Sequence, residues 1–190
     1  SEVWRTDAYD LSYGNLNMYD IHVDLVDDSY LNMNEVADAL SDIDGIATME
    51  TRLISPTLVD ASHGDEVIMV KGELVGLDVS DGGPHVNGVY VDAESGRSFT
   101  AADAGQNVAV VEYKFVQARD LELGSPIRIS GGHDLDFVGA GHSPEYFMIQ
   151  GDIGDFFGQE NFAVLFVSLE TAQRLTGNEG MVNDVVILLE

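Results

Sequence analysis

Cysteine is absent from this 190-residue chain. That removes disulfides, thiolate metal sites and cysteine nucleophiles together. It does not fix a compartment, because disulfides are permitted outside the cell but not required there. Cations are almost as scarce: 8 Lys and Arg stand against 34 Asp and Glu, for a net charge of -26. The only lysines are Lys71 and Lys114. Nucleic-acid phosphates are held by clustered cations, so no nucleic-acid partner is expected. Docking on anionic lipid headgroups through a basic patch is disfavoured on the same ground. Long apolar runs are missing too. The longest, Phe162 to Val167, falls far short of the roughly 20 residues a membrane helix needs. No signal peptide is visible. The phosphate-cradling patterns G-x-x-x-x-G-K-[ST] and G-x-G-x-x-G do not occur, so the chain is not expected to bind or split ATP itself.

What is present is a 45% apolar composition, enough to bury a core. The acidic, Lys-poor surface has two readings: an outward-facing domain of an acidic proteome, or adaptation to high salt, where self-repulsion is screened. Both are compatible with one function. The chain opens on Ser1-Glu2-Val3-Trp4-Arg5 and stops at Val185 to Glu190 inside a strand pattern, as expected of a domain excised from between two membrane helices.

Along the chain, Met18 to Val26 alternates apolar and polar residues and reads as a half-buried strand. Met33, Val36, Leu40 and Ile43 fall at helical spacing, with Asn32 or Asn34 as N-cap and Gly45 as stop. Ile46 to Val59 is extended again. Val67 to Leu77 reads as a strand, with Gly72 and Gly76 expected at bulges or bends. Short strands are expected over 86–91, 108–111, 126–129 and 135–140, with a helical break near 112–121 and a hairpin turn at Gly131-Gly132. Phe162 to Val167 reads as a buried strand. Ser168 then caps a helix with Leu169, Ala172 and Leu175 on its apolar stripe and Gly177 at its end. Val182 to Leu189 is a closing strand. The chain thus begins and ends β-α-β, with a β-rich insert between, and the fold class is α+β.

Candidate chemistry is sparse. His22, His63, His85, His133 and His142 are scattered among acidic residues without the H-E-x-x-H signature of a zinc site. Asp42-Ile43-Asp44-Gly45 imitates a calcium loop, but Gly falls at position 4 rather than 6 and Leu53 stands where Glu is needed. Asp78 to Gly83 is a weaker case of the same kind. Gly141-His142-Ser143-Pro144-Glu145 half-resembles a nucleophile elbow but lacks its final Gly. No catalytic residue, metal site or cofactor is therefore expected, and the chain is not read as an enzyme. The aromatics of the last third are the one sharp site hypothesis. Phe162 and Phe166 read as core, while Tyr146, Phe147, Phe156 and Phe157 are candidate partner contacts in a Gly-flanked region.

Five weak motifs follow one another in order: Gly96-Arg97-Ser98-Phe99 with Asp103, the strand Val108 to Val111, Leu121-Glu122-Leu123-Gly124 with Ile127-Arg128-Ile129, Phe137-Val138-Gly139, and Phe166 to Leu175 with Val182 to Val186. From about Tyr19 to Glu190 the chain resembles the extracytoplasmic, MacB-like periplasmic core domain of FtsX/MacB-type ABC transporter permeases. Glu112, where the family often has Gly, and Ser125-Pro126 depart from the pattern and leave the subfamily and its cargo open. The resemblance implies two lobes with separate sheets: residues 18–66 and 161–190 as a discontinuous α/β lobe near the membrane, residues 67–160 as an inserted β-rich lobe, and residues 1–17 as a segment after a membrane helix. It also implies a cell-membrane protein whose domain stands outside the cytoplasmic membrane. The implied partners are a cytoplasmic ATP-binding subunit reached through the membrane part, a second permease subunit, and a cargo or extracytoplasmic partner protein. The alternatives are a secreted binding or adhesion module, or a hydrolase using Ser143 or a metal.

Overall fold

The structure, a computed structural model, describes residues 16–62, 65–146 and 161–190. Its organising element is one long strand, β3 (Ile46–Asp60). The first half of β3 pairs antiparallel with the closing strand β11 (Asp184–Leu189), whose other edge carries β1 (Ile21–Asp24). Its second half pairs antiparallel with β4 (Met69–Leu77). From there the sheet continues through β9 (Phe162–Ser168), β6 (Val108–Glu112) and β8 (His133–His142) to β5 (Tyr90–Gly96). The hairpin strand β7 (Pro126–Ile129) pairs with β8 and reaches back to β3 through Val59 and Ile129. Strands β3, β4, β9, β6, β8 and β7 thereby form a ring. All six contribute to one apolar cluster, including Leu53, Leu74, Leu165, Val111, Phe137 and Ile127. A two-stranded ribbon of β2 (Leu31–Asn32) and β10 (Met181–Val182) lies apart.

The fold is α+β with a lobe built on β1, β11 and the start of β3, and a β-rich lobe built on the ring. Two expectations are corrected by the pairing. The sheets are continuous rather than separate, because β3 spans both: its pairing passes from β11 at Arg52 to β4 at Leu53 with no unpaired residue between. Strand β9, grouped by sequence with the first lobe, lies between β4 and β6 of the second. Residues on its two faces feed different clusters, with Ala163, Leu165 and Val167 in the ring core and Val164 and Phe166 in a smaller cluster with Val75, Val110 and Phe99. A strand buried on both faces reads as a continuous apolar run and carries no facing information.

The helices follow their caps. In α1 (Met33–Ser41) the Asn32 side chain accepts the Asn34 amide, and Val36 is buried toward the sheet. Helix α2 (Tyr113–Arg119) starts where the Glu112 carboxylate accepts the Phe115 amide, and Phe115 enters the core. Helix α3 (Leu169–Thr176) is capped by the Ser168 hydroxyl on the Thr171 amide and ends on left-handed Gly177. Gly72 and Gly76 do not mark bulges: the β3–β4 register runs through both without a shift. Their role is close approach. A Cβ on Gly76 would lie 2.4 Å from Cβ of Ala172, so the bare backbone lets α3 pack on β4.

Three further expectations shift. The 86–91 strand begins only at Tyr90, because Asn87 takes a left-handed φ of 51° and turns the chain. The first strand is confined to Ile21–Asp24. Phe162 is 40% exposed, since it starts β9 beyond the end of the smaller cluster that buries Val164 and Phe166.

Candidate functional site

Arg52 stands at the position where β3 passes from β11 to β4, the seam of the two lobes. Strand alternation turns its side chain inward, and it is 4% exposed. Its Nε donates to Oδ1 of Asp184 at 2.7 Å, directly opposite on β11. Its Nη1 and Nη2 donate to the two oxygens of Glu145 at 2.7 and 3.3 Å. Asp184 and Glu145 are buried as well. The second Asp184 oxygen meets Nε2 of His22 from β1 at 2.5 Å, and Nδ2 of Asn87 donates to Glu145 at 2.9 Å. One guanidinium thus joins β1, β3 and β11 to the turn after β8 and to the loop before β5.

Burial alone would lower the Arg52 pKa. The charges and hydrogen bonds of Glu145, and then of Asp184, overcome it and hold the guanidinium above its ordinary value. Around this centre, Glu50 of β3 accepts the amides of His85 and Val86 at 2.7 and 3.1 Å. The Tyr146 hydroxyl donates to Glu73 at 3.0 Å. Asn183 forms a two-way bridge with the Ile54 backbone. No buried side-chain polar atom among the described residues lacks a partner. A fully satisfied network of this kind fixes geometry; whether it adds net stability over apolar packing is a separate matter.

The G-R-x-F-x-x-x-D segment is the second built feature. Arg97 forks onto Asp103 at 2.7 and 3.0 Å, and Asp103 accepts the Thr100 amide at 2.8 Å in a capping box. The hydrogen bond from Arg97 holds the Asp103 carboxyl below the usual range. Phe99 is buried in the smaller cluster. Gly96 has φ +110°, and a Cβ there would lie 2.3 Å from the Val138 carbonyl. The motif is a turn lock.

The candidate contact residues separate. Tyr146 is buried, its ring edge-on to Phe166 at 5.8 Å. Phe147, Phe156 and Phe157 lie outside the described residues, as does His63. In the elbow-like segment Ser143 is buried, Glu145 is committed to Arg52, and the His142 ring lies 4.3 Å from Tyr113. Asp42 caps α1, and Asp78 closes a turn on the Ser80 amide. Among the described residues, no group of three or more His, Asp or Glu stands together that could hold a metal ion. The sequence reading missed the Arg52 network. Its one signal was a lone arginine in a chain of few cations, inside a strand of uncharged residues from Leu53 to Val59.

No family model matches the sequence, and no curated protein matches it. The fold does match solved structures. The extracellular domain of the noncanonic ABC-type transporter YknZ from Gram-positive bacteria aligns at a TM-score of 0.56 and 14% identity, over 89% of this chain and 82% of that one. The periplasmic region of MacB from Actinobacillus actinomycetemcomitans aligns at 0.58 and 14% identity, over 86% and 67%. The chain therefore has the fold of MacB-like extracytoplasmic domains.

Proposed function

We propose that the chain is the extracytoplasmic domain of an ABC transporter permease, standing outside the cytoplasmic membrane. In this reading it contacts cargo or a partner protein and moves when a cytoplasmic ATP-binding subunit binds and hydrolyses ATP. A second permease subunit completes the assembly. The observation that carries the reading is the fold itself: nearly the whole chain aligns with extracytoplasmic domains of two ABC-type transporters. The five ordered motifs support it, and the structure gives the first of them a physical role as the Arg97–Asp103 turn lock.

The test uses the intact membrane protein co-expressed with a candidate ABC ATPase subunit from the same source. This domain has no cysteine, so Asp38→Cys on the exposed face of α1 gives it one labelling site, with any cysteine elsewhere in the assembly replaced by serine. Spin-label distances between the two subunits are expected to change between the nucleotide-free and ATP-trapped states. An unchanged distance distribution would sink the coupling, and failure to co-purify with an ATPase would sink the permease assignment itself.

A further inference from the structure

The first lobe carries a groove that nothing in the described fold fills. Helix α1 lies over β1 and β11 but leaves an opening of about 370 Å³ between them. Its walls include Val23, Leu25, Leu31, Val36, Leu40 and Val182. Val23 and Leu31 are each 46% exposed, and neighbouring Ile21 is 42% exposed. Exposed apolar side chains gathered around an open apolar groove make it a candidate contact surface.

Charge selects the occupant. From residue 16 to residue 51 the chain has nine Asp and Glu and not one Lys or Arg. Glu35 lines the groove. On the helix its neighbours at i+3 and i+7 are Asp38 and Asp42, so three carboxylates run along one lip. Asp24, Asp27 and Asp28, all exposed, flank Leu25 on the opposite side. Ala39, at i+4 from Glu35, lies between the acidic lip and the apolar floor.

We propose that this groove binds a cationic amphipathic helix of a partner protein, with apolar anchors at helical spacing and Lys or Arg along its flanks. A second copy of this chain would bring its own carboxylates against the rim and be repelled. Anionic lipid would be repelled likewise. A neutral apolar segment would fill the floor and leave both lips unanswered.

The probe is a fluorescent synthetic peptide of Leu and Lys at helical spacing, titrated into the full chain at about 0.15 M salt, where the Debye length is roughly 8 Å. Saturable binding of one peptide per chain is expected, with methyl NMR shifts centred on Val23, Leu25, Leu31, Val36 and Leu40. The Leu and Glu counterpart is expected not to bind. The double variant Glu35→Lys with Asp38→Lys, at exposed helix positions, should weaken binding about tenfold or more. Ala39→Phe, which plugs the groove from its edge, should do the same with an unchanged melting temperature. The control Asp65→Lys with Glu66→Lys lies at the far end of β3 and should change binding by less than about twofold. Equal losses in the control and the rim variants would reduce the effect to general attraction by the net charge and overturn the proposal. Methyl shifts elsewhere, no binding, or a dimer that blocks the peptide would each overturn it as well.

Discussion

Replacing Arg52 by Met is the sharpest perturbation this structure offers. Met keeps the length of the apolar stem but removes the charge and all three hydrogen bonds to Glu145 and Asp184. Both carboxylates are at least 95% buried, and among the described side chains Glu145 would keep its contact with Asn87 and Asp184 its contact with His22. Removing one partner of a buried ion pair typically costs about 3–5 kcal/mol, because an uncompensated charge stays behind. A domain of this size has roughly 5–15 kcal/mol in all. For about 150–250 residues each kcal/mol moves the melting temperature by about 2–4 °C, so a fall of about 6–20 °C is expected.

Urea and thermal unfolding of the isolated chain, followed by circular dichroism, measure this directly. Two companions make the result interpretable. Arg128→Met breaks the exposed fork to Asp134, where both side chains are about half exposed, and should cost no more than about 1 kcal/mol. Adding Glu145→Gln and Asp184→Asn to Arg52→Met should recover much of the loss, since neutral amides leave no buried charge. If Arg52→Met costs no more than Arg128→Met, the junction is not held by this guanidinium. If the triple variant is no better than the single one, the loss is one of packing and the electrostatic account fails.

Gly96→Ala should destabilise by about 2 kcal/mol or more, because it adds a carbonyl clash to a left-handed φ; Gly124→Ala, at φ +83° with open space around it, should cost only about 1 kcal/mol, and equal losses would refute the close-approach argument. Burial raises the Glu73 pKa, so the ionised form costs stability above the folded pKa and this cost fades as pH falls toward the unfolded value of about 4.3. Glu73→Gln keeps an acceptor for Tyr146 and should raise the melting temperature at pH 7 but not near pH 4; an equal gain at both would refute it. The net charge of -26 should make the melting temperature rise between about 0.01 M and about 0.1 M salt, as the Debye length falls from ~30 to ~10 Å, and a flat response would mean the carboxylates are already compensated.

The legible part of this fold was local. Asn32, Ser168 and Gly177 act through hydrogen bonds spanning a few residues, so helix ends could be read from short strings. The hairpin of β7 and β8 was legible for the same reason, with Gly131 and Gly132 both at positive φ. What could not be read rests on distant partners. Ring closure depends on Val59 meeting Ile129, and Gly76 depends on Ala172. The Arg52 contacts span 93 and 132 residues of sequence. Phe166 and Val167 look alike as letters, yet they serve different clusters because each face of the sheet meets a different layer.

The same distances explain where the cations went. Arg97 and Arg128 each fork onto one carboxylate, Arg52 bridges two, and Arg174 is spent on the Gly105 carbonyl and the Asn107 side chain. A guanidinium offers a rigid set of donors that a lysine lacks, which fits a chain with six Arg and only two Lys. With these four arginines committed to partners within the chain, only four cations remain to answer the other carboxylates of the 34. The outer surface is therefore acidic by construction, and any partner must read it through complementary charge, through exposed apolar side chains, or through both. Among the described residues, the groove between α1 and the β1–β11 edge is a place in the first lobe where the two occur together.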